Sequence, residues 1–380
     1  MTAELTAPLF TPLAVRGVTI PNRTVMAPMG RQFAQDHVPH PDAPAYYRRR
    51  IEGGVGLVIS EATGVDHPLS ADSSGTPHMH GEAALAGWKA VVDAVHSAGG
   101  LIFPQLFHQG MLHGGGNPDR EMDSLRPSGT IGTPGPTSFA PHYVDRASRP
   151  TRPMTEEEIA DAIAAYARSV RNAVALGFDG IALHGAHGYL IDGFLWGASN
   201  QRSDRWGGDM RQRTAFAVEV IKAARAEMPR DMPLVFRFSQ HKSSNYEART
   251  TESPQELEAM LGPIVDAGVD ILDASIRRFW QPAYEGSSLN LAGWAKKVTG
   301  KPVIAVGSVG LGFTASDTFM KVGTEQADDN VALLMERFNE GEFDMIAIGR
   351  SLIGDPDYVN KLRTGEAPVR FSRDHLSTLS

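Results

Sequence analysis

The chain has 380 residues, 42% of them hydrophobic and 21% charged, which is the balance of a globular protein with a sizeable core rather than of a disordered segment. A formal net charge of −8 with scattered basic residues argues against a nucleic-acid partner, and the absence of cysteine excludes disulfides, thiolate nucleophiles, zinc–thiolate sites and cysteine-ligated iron–sulfur clusters together. No stretch reaches the ~18 apolar residues of a spanning helix, and Met1 to Leu9 lack the basic-then-apolar pattern of a secretory signal, so the expectation is a cytoplasmic protein without a membrane partner.

Short continuous apolar runs bounded by Gly, Pro or Asp alternate with longer segments of helical spacing. In chain order the first run is Val25–Met29, followed by a helix over Pro41–Glu52. Gly56–Glu61 and a helix over Glu82–Ala98 come next, then Leu101–His108 and a helix over Thr155–Leu176. Gly180–His184 precedes a helix at Arg211–Glu227, Leu234–Ser239 one at Pro254–Ala267, and Ile271–Ser275 one at Leu289–Val298. The last two pairs are Val303–Gly307 with Asn330–Asn339 and Met345–Gly349 with Pro356–Thr364. Thr155 before Glu156, Glu157 and Glu158 predicts a capping box. Gly177, Gly268 and Gly300 read as C-terminal caps.

Unbroken apolar runs suit strands buried on both faces, as in a parallel sheet wrapped by helices. Eight strands alternating with eight helices predict an α/β fold, a (β/α)8 TIM barrel spanning residues 1–380 as one domain. The alternative is an open doubly wound sheet, against which stand the strand number and the lack of GxGxxG after the first strand. The Gly-, Pro- and Ser-rich stretch Gln109–Pro153 is too long for an ordinary barrel loop and reads as a lid or subdomain inserted after the third strand. Gly310–Asp329 is a second irregular stretch.

Barrel enzymes place their chemistry at the C-terminal ends of the strands. There the sequence puts Gln105 and His108, His184 and His187, Arg237 and Gln240, and Arg350. Each taken singly is an ordinary core or loop residue; together they nominate one face. His184 and His187, three residues apart at a strand end, can both aim N–H donors at one oxygen, and Tyr189 two residues on can donate a proton. A metal is disfavoured, because the helical metal motif needs His at i and i+4 with Glu between, whereas here Gly185 and Ala186 intervene. Arg237 is a permanent cation in an apolar strand and requires an anion, either a carboxylate or a bound ligand; its place at the barrel mouth favours the ligand. Gly307-Ser308 and Gly349-Arg350 follow the last two strands, where barrels commonly hold phosphate on backbone N–H groups.

The ordered set resembles the Old Yellow Enzyme family of FMN-dependent oxidoreductases, in its His-His subtype. The motifs are Leu9-Phe10-Thr11-Pro12-Leu13, Asn22-Arg23-Thr24-Val25-Met26-Ala27-Pro28-Met29, Gln105-Leu106-Phe107-His108 and His184-Gly185-Ala186-His187-Gly188-Tyr189-Leu190. Asn200-Gln201-Arg202-Ser203-Asp204-Arg205-Trp206-Gly207-Gly208 and Ile348-Gly349-Arg350 continue the series over nearly the whole chain. The resemblance implies a bound FMN, with NADH or NADPH as co-substrate. It places Pro28, Met29, Gly30, Ala62 and Gln105 at the isoalloxazine, Arg237 beside flavin N1, and Gly307, Ser308, Gly349 and Arg350 at the phosphate. His184 and His187 would grip the substrate carbonyl oxygen, and Tyr189 would supply the proton.

Gly30 stands where relatives usually carry Thr or Cys, which implies a lower flavin potential, and Trp206 replaces the usual Tyr. The implied activity is ene-reduction: hydride passes from NAD(P)H through FMN to the C=C bond of a small α,β-unsaturated carbonyl compound. Oxidation of an amine on the same barrel is the alternative within the family. Outside it stand a flavin-free metal-dependent hydrolase or lyase using His184 and His187, and a flavin-binding module without turnover. Homo-oligomerisation is left open.

Overall fold

The computed structural model of the chain describes residues 3–114, 124–311 and 330–380. A two-stranded antiparallel hairpin, β1 (Leu13–Val15) and β2 (Val18–Ile20), comes first. Eight parallel strands follow: β3 (Thr24–Met26), β4 (Leu57–Gly64), β5 (Ile102–Phe107), β6 (Ile181–His184), β7 (Leu234–Ser239), β8 (Ile271–Ser275), β9 (Val303–Val306) and β10 (Met345–Ile348). They form a barrel in sequence order, closed by the pairing of β10 with β3. This is the (β/α)8 architecture the sequence predicts.

The barrel helices are α1 (Ala43–Glu52), α2 (Glu82–Ser97), α3 (Glu156–Leu176), α4 (Ala215–Glu227), α5 (Pro254–Asp266), α6 (Leu291–Thr299), α7 (Asn330–Asn339) and α8 (Tyr358–Thr364). Their apolar faces and the outward side chains of the strands make one large cluster, which includes Trp88, Tyr166, Phe216 and Leu261. The barrel interior holds a second cluster of Val25, Leu57, Ile59, Phe103, Ala182, Val235, Ile271, Ile304, Met345 and Ala347. Strand alternation therefore sends odd positions of β5, β7 and β8 inward, and Arg237 and Asp273 share that inward parity.

The hairpin is the main element the sequence reading lacks. Val15 and Ile20 belong to the interior cluster, so the hairpin floors the barrel. Arg16 fastens it there, donating to Asp270 Oδ1 (2.6 Å) at the foot of β8 and to the Arg230 carbonyl (2.7 Å). Two three-residue strands are too short to show a period.

Three of the boundary differences have identifiable local causes. β3 ends at Met26 rather than Met29, because Pro28 has no N–H to continue a ladder. The helix expected at Arg211–Glu227 divides into Met210–Arg213 and α4 at Thr214, whose hydroxyl bonds back to the Arg211 carbonyl. β4 runs on to Gly64 through a bulge: Ile59 pairs with Phe103 and Ala62 with Gln105, so one extra residue sits in β4. That residue reverses the alternation and turns Ala62 to the same inner face as Gln105.

The insertion after β5 contains the helix Pro141–Ala147 and a small apolar cluster of Met111, Leu112, Ile131 and Ala147, against which Phe139, Tyr143 and Tyr189 pack. It docks on the loop after β7. Gly135 donates to the Ser244 carbonyl (3.0 Å), Tyr246 N–H to the Pro136 carbonyl (2.7 Å) and Asn245 Nδ2 to the Thr133 carbonyl (3.1 Å). Almost all of Gly310–Asp329 lies outside the described residues.

The capping box of α3 forms as read: Thr155 Oγ1 accepts the Glu158 N–H (3.3 Å) while Glu158 Oε2 accepts the Thr155 N–H (2.9 Å). Gly177 closes the same helix in the left-handed region at φ 88°. Thr155→Ala is expected to lower global stability by about 1 kcal/mol in urea unfolding. An unchanged midpoint would show that the cap contributes nothing.

Candidate active site at the barrel mouth

β6 ends in His184, which lies in register with Arg237 on β7, and Arg237 in register with Asp273 on β8. Closure of the barrel thus sets an imidazole, a guanidinium and a carboxylate side by side. Gln105, on β5, is almost fully buried, as are Arg237 and Asp273. The amide Nε2 of Gln105 and the Nε of Arg237 are both buried without a hydrogen-bond acceptor among the described residues. Such orphaned donors are costly in a native interior and nominate a place for a polar ligand or water.

Arg237 does have a carboxylate neighbour, which the sequence reading did not name. Asp273 Oδ2 lies 3.5 Å from Arg237 Nη1, yet neither Asp273 oxygen accepts a hydrogen bond. The guanidinium is therefore partly neutralised but not locked. Its Nη2 donates to Ser275 Oγ (3.2 Å). Burial pushes the Asp273 carboxyl up and the charge of Arg237 opposes that push.

The imidazoles of His184 and His187 meet edge to face, centroids 4.9 Å apart, and Tyr189 stands edge-on to His184 at 4.9 Å and to Phe107 at 5.3 Å. Burial holds the pKa of both histidines well below the usual value; for His184 the charge of Arg237 adds to burial, and for His187 first His184 and His241 do so. Both rings are neutral, with one N–H each. His184 Nδ1 accepts the Ala186 N–H (3.3 Å), which leaves the ring proton on Nε2. His187 Nε2 meets Ser275 Oγ at 2.8 Å. Ser275 Oγ, which accepts from Arg237, can also give its proton to His187 Nε2, and in that tautomer the His187 N–H is on Nδ1. Burial raises the Tyr189 phenol above its usual value, so it keeps its proton at neutral pH.

Two strand-end residues nominated by the sequence lie elsewhere. His108 Nε2 meets His67 Nδ1 at 3.0 Å, between the strands and the helices. Gln240 ties the loop after β7 to itself through Thr251 (2.8 Å) and to Tyr284 in the loop after β8 (3.3 Å). At the ends of β9 and β10, a Cβ on Gly307 would come within 2.4 Å of the Ile276 carbonyl, so only glycine fits there. Ser308, at φ 60°, donates to the Arg277 carbonyl (2.9 Å). Gly349 opens the short helix Arg350–Gly354 and lies against Met29. Pro28 and Met29 are half-buried and Gly30 is exposed, where a Cβ would fit in ordinary contact with Gln32 Nε2 at 3.8 Å. Trp206 is buried against Phe194 and Phe216, and its N–H donates to Glu156 Oε1 (2.7 Å). Among the described residues no group of three His, Asp or Glu is arranged to hold a metal ion, and no helix is long and apolar enough to cross a membrane.

Glu61, the neighbour of Ala62, is a further buried group the sequence did not single out. Its Oε2 accepts the Arg31 N–H (3.0 Å), one residue beyond Gly30. Burial raises its pKa from 4.5 to about 7, against the opposing Arg31 N–H and charge. Between about pH 4.5 and 7 the folded protein keeps a proton that the unfolded chain has lost, so stability from this group falls as pH rises through that window. Urea unfolding of the wild type and Glu61→Gln from pH 4.5 to 8 is expected to show the wild type losing ground to the variant as pH increases; a constant difference would remove the assignment.

Residues 8–368 match the family described as NADH:flavin oxidoreductase / NADH oxidase. The chain is 36% identical over 230 residues to 12-oxophytodienoate reductase 2 of Arabidopsis thaliana, a stretch covering 60% of each protein. It is 31% identical over 366 residues to an NADH oxidase of Thermoanaerobacter brockii, covering 94% of this chain and 51% of that one. The chain thus spans only part of the length of these relatives. Among solved structures it is similar to morphinone reductase in complex with tetrahydroNAD, with TM-score 0.76, 25% identity, and 97% and 93% of the two chains covered. The Old Yellow Enzyme homologue of Zymomonas mobilis gives TM-score 0.76 and 25% identity over 98% and 97%. The chain belongs to the NADH:flavin oxidoreductase / NADH oxidase family, the Old Yellow Enzyme group of FMN-containing barrels.

Proposed function

We propose that the protein is an FMN-dependent ene-reductase that uses NAD(P)H to saturate the C=C bond of an α,β-unsaturated carbonyl compound. The observation that carries this reading is the pair of neutral imidazoles at and just beyond the end of β6, one nitrogen of each engaged with Ala186 N–H or Ser275 Oγ, set beside a buried cation. Relatives named as reductases of 12-oxophytodienoate and of morphinone support a carbonyl-bearing acceptor.

The residues fit the cofactor. Gln105 Nε2 and Arg237 Nε are the orphaned buried donors that the polar pyrimidine edge of a flavin would satisfy, and Ala62 is turned to the same face by the bulge in β4. Pro28, Met29 and Gly30 would flank the ring, and Gly307, Ser308, Gly349 and Arg350, on the adjacent ends of β9 and β10, would hold the phosphate. FMN, when bound, supplies a two-electron carrier that accepts hydride from the nicotinamide and delivers it to the alkene.

The remaining chemistry belongs to side chains. His184 Nε2–H and His187 Nδ1–H would donate to the carbonyl oxygen, where negative charge grows as the β-carbon is reduced. Neutral donors in a site screened from water are worth about 10²–10³ in rate each. Tyr189, held protonated and edge-on to His184, would deliver the proton to the α-carbon, worth about 10²–10⁴. The positive charge of Arg237 favours the reduced, anionic cofactor, and Asp273 moderates it.

A para-substituted phenol, whose oxygen mimics the enolate, is expected to perturb the visible spectrum of the purified yellow protein, and His184→Ala with His187→Ala should abolish that change. Phenol affinity surviving in the double variant would show that the imidazoles point elsewhere. Tyr189→Phe should slow alkene reduction about 10²-fold or more while flavin reduction by NAD(P)H stays near the wild-type rate. Equal slowing of both half-reactions would refute the donor role, and anaerobic oxidation of an N-methyl amine in place of enone reduction would overturn the reading itself.

A further inference from the structure

The loop that carries His187 and Tyr189 is bent in a costly way. His187 lies at φ 66° and Gly188 at φ 83°, two consecutive residues in the left-handed region, the first of them not glycine. Such a backbone persists only where the surroundings over-determine it. Here the His187 N–H donates to Ser239 Oγ (3.0 Å), its carbonyl accepts the Ser243 N–H (2.9 Å), and the Gly188 N–H donates to Asp192 Oδ2 (2.7 Å).

Asp192 is itself one half of a fully enclosed ion pair. Its Oδ1 accepts from Lys242 Nζ (2.7 Å), and the two side chains are 1% and 0% exposed. Lys242 Nζ also donates to Thr250 Oγ1 (2.6 Å), which donates to the Ser239 carbonyl (2.9 Å). The Lys242 backbone forms a bridge to His187, and its ammonium lies 5.6 Å from the Trp196 ring centroid. The circuit Ser239, Thr250, Lys242, Asp192, Gly188 therefore joins the end of β7 to the turn after β6. Both charges are fully enclosed and already paired with each other. A buried pair of this kind adds little net stability over apolar residues, which calls for another reason for its presence.

We infer that Asp192 and Lys242 are a positioning pair that holds the His187–Gly188–Tyr189 turn in its left-handed conformation and thereby aims the second imidazole and the phenol. The inference rests on the ene-reductase reading for what the aimed groups do, not for the geometry. Asp192 supplies the acceptor for the Gly188 N–H, and Lys242 fixes that carboxylate and opposes the upward push of burial on it.

The test uses the flavin-loaded protein and two double variants, because a single Lys242→Met leaves an uncompensated buried carboxylate that destabilises the fold. Lys242→Met with Asp192→Asn removes both charges and retains an acceptor for the Gly188 N–H. Lys242→Met with Asp192→Leu removes the acceptor too; should it fail to fold, Ala at 192 makes the same comparison. The asparagine variant is expected to keep phenol affinity and alkene reduction near wild type. The leucine variant should lose about tenfold or more in both, with flavin binding and flavin reduction by NAD(P)H preserved. The 15N shifts of the His187 ring provide a readout independent of turnover: they should move in the leucine variant and stay in the asparagine variant. Unmoved shifts together with wild-type phenol affinity in the leucine variant overturn the inference, as does equal loss of both half-reactions. A wild-type protein that ignores phenols and enones while the His187 shifts still respond overturns only the ene-reductase reading.

Discussion

A guanidinium held inside a closed barrel is the constraint around which the mouth is arranged. Arg237 points inward from β7 and cannot shed its charge, and in a low-dielectric interior a cation must be met by anions or polar acceptors. Asp273 on the neighbouring strand lies close enough to moderate the charge, and too far for a good hydrogen bond, while Nε is left unsatisfied. A full ion pair would have silenced the cation. The half-made pair leaves the charge of Arg237 only partly compensated, as the proposed cofactor, negative when reduced, would require.

The same cation shapes its neighbours. It lies in register with His184 and, through Ser275, touches His187, so both imidazoles are held neutral by burial and by nearby positive charge. Neutral rings donate one N–H each, which suits an oxygen that gains charge only during reaction. A protonated pair beside Arg237 would have repelled it and attracted anions indiscriminately. Polarity at the mouth is thus distributed so that each group limits the state of the next, and the strained turn carrying His187 is held from outside by a second, sealed pair, Asp192 and Lys242.

Much of the site could be read from residue types at strand ends. Gln105, His184, His187 and Arg237 do converge, because in a parallel barrel every strand delivers its last inward residues to one face. His108 and Gln240 carry the same signal and fall outside the cluster, since the first, just past β5, pairs with His67 and the second bonds Thr251 and Tyr284 in the loops after β7 and β8. Asp273 and Ser275 could have been found by the argument that found Arg237, a polar residue in an apolar strand. Asp192, within Leu190-Ile191-Asp192-Gly193-Phe194-Leu195, and Lys242, in an unremarkable loop, gave no comparable signal, because their partnership spans fifty positions of chain.

By itself, then, the order of residues determined the alternation of eight strands with eight helices, the capping box at Thr155, the length of the insertion after β5 and the family. These are local patterns of period, cap and motif, and each is settled within a few turns of chain. Only the tertiary structure decided that a hairpin floors the barrel, that a bulge after Ile59 turns Ala62 inward, that Asp273 faces Arg237 across a strand boundary, and that a buried lysine holds the histidine turn. Each of these depends on register and closure between distant segments, and the free energy of such contacts is not written in any single stretch of sequence.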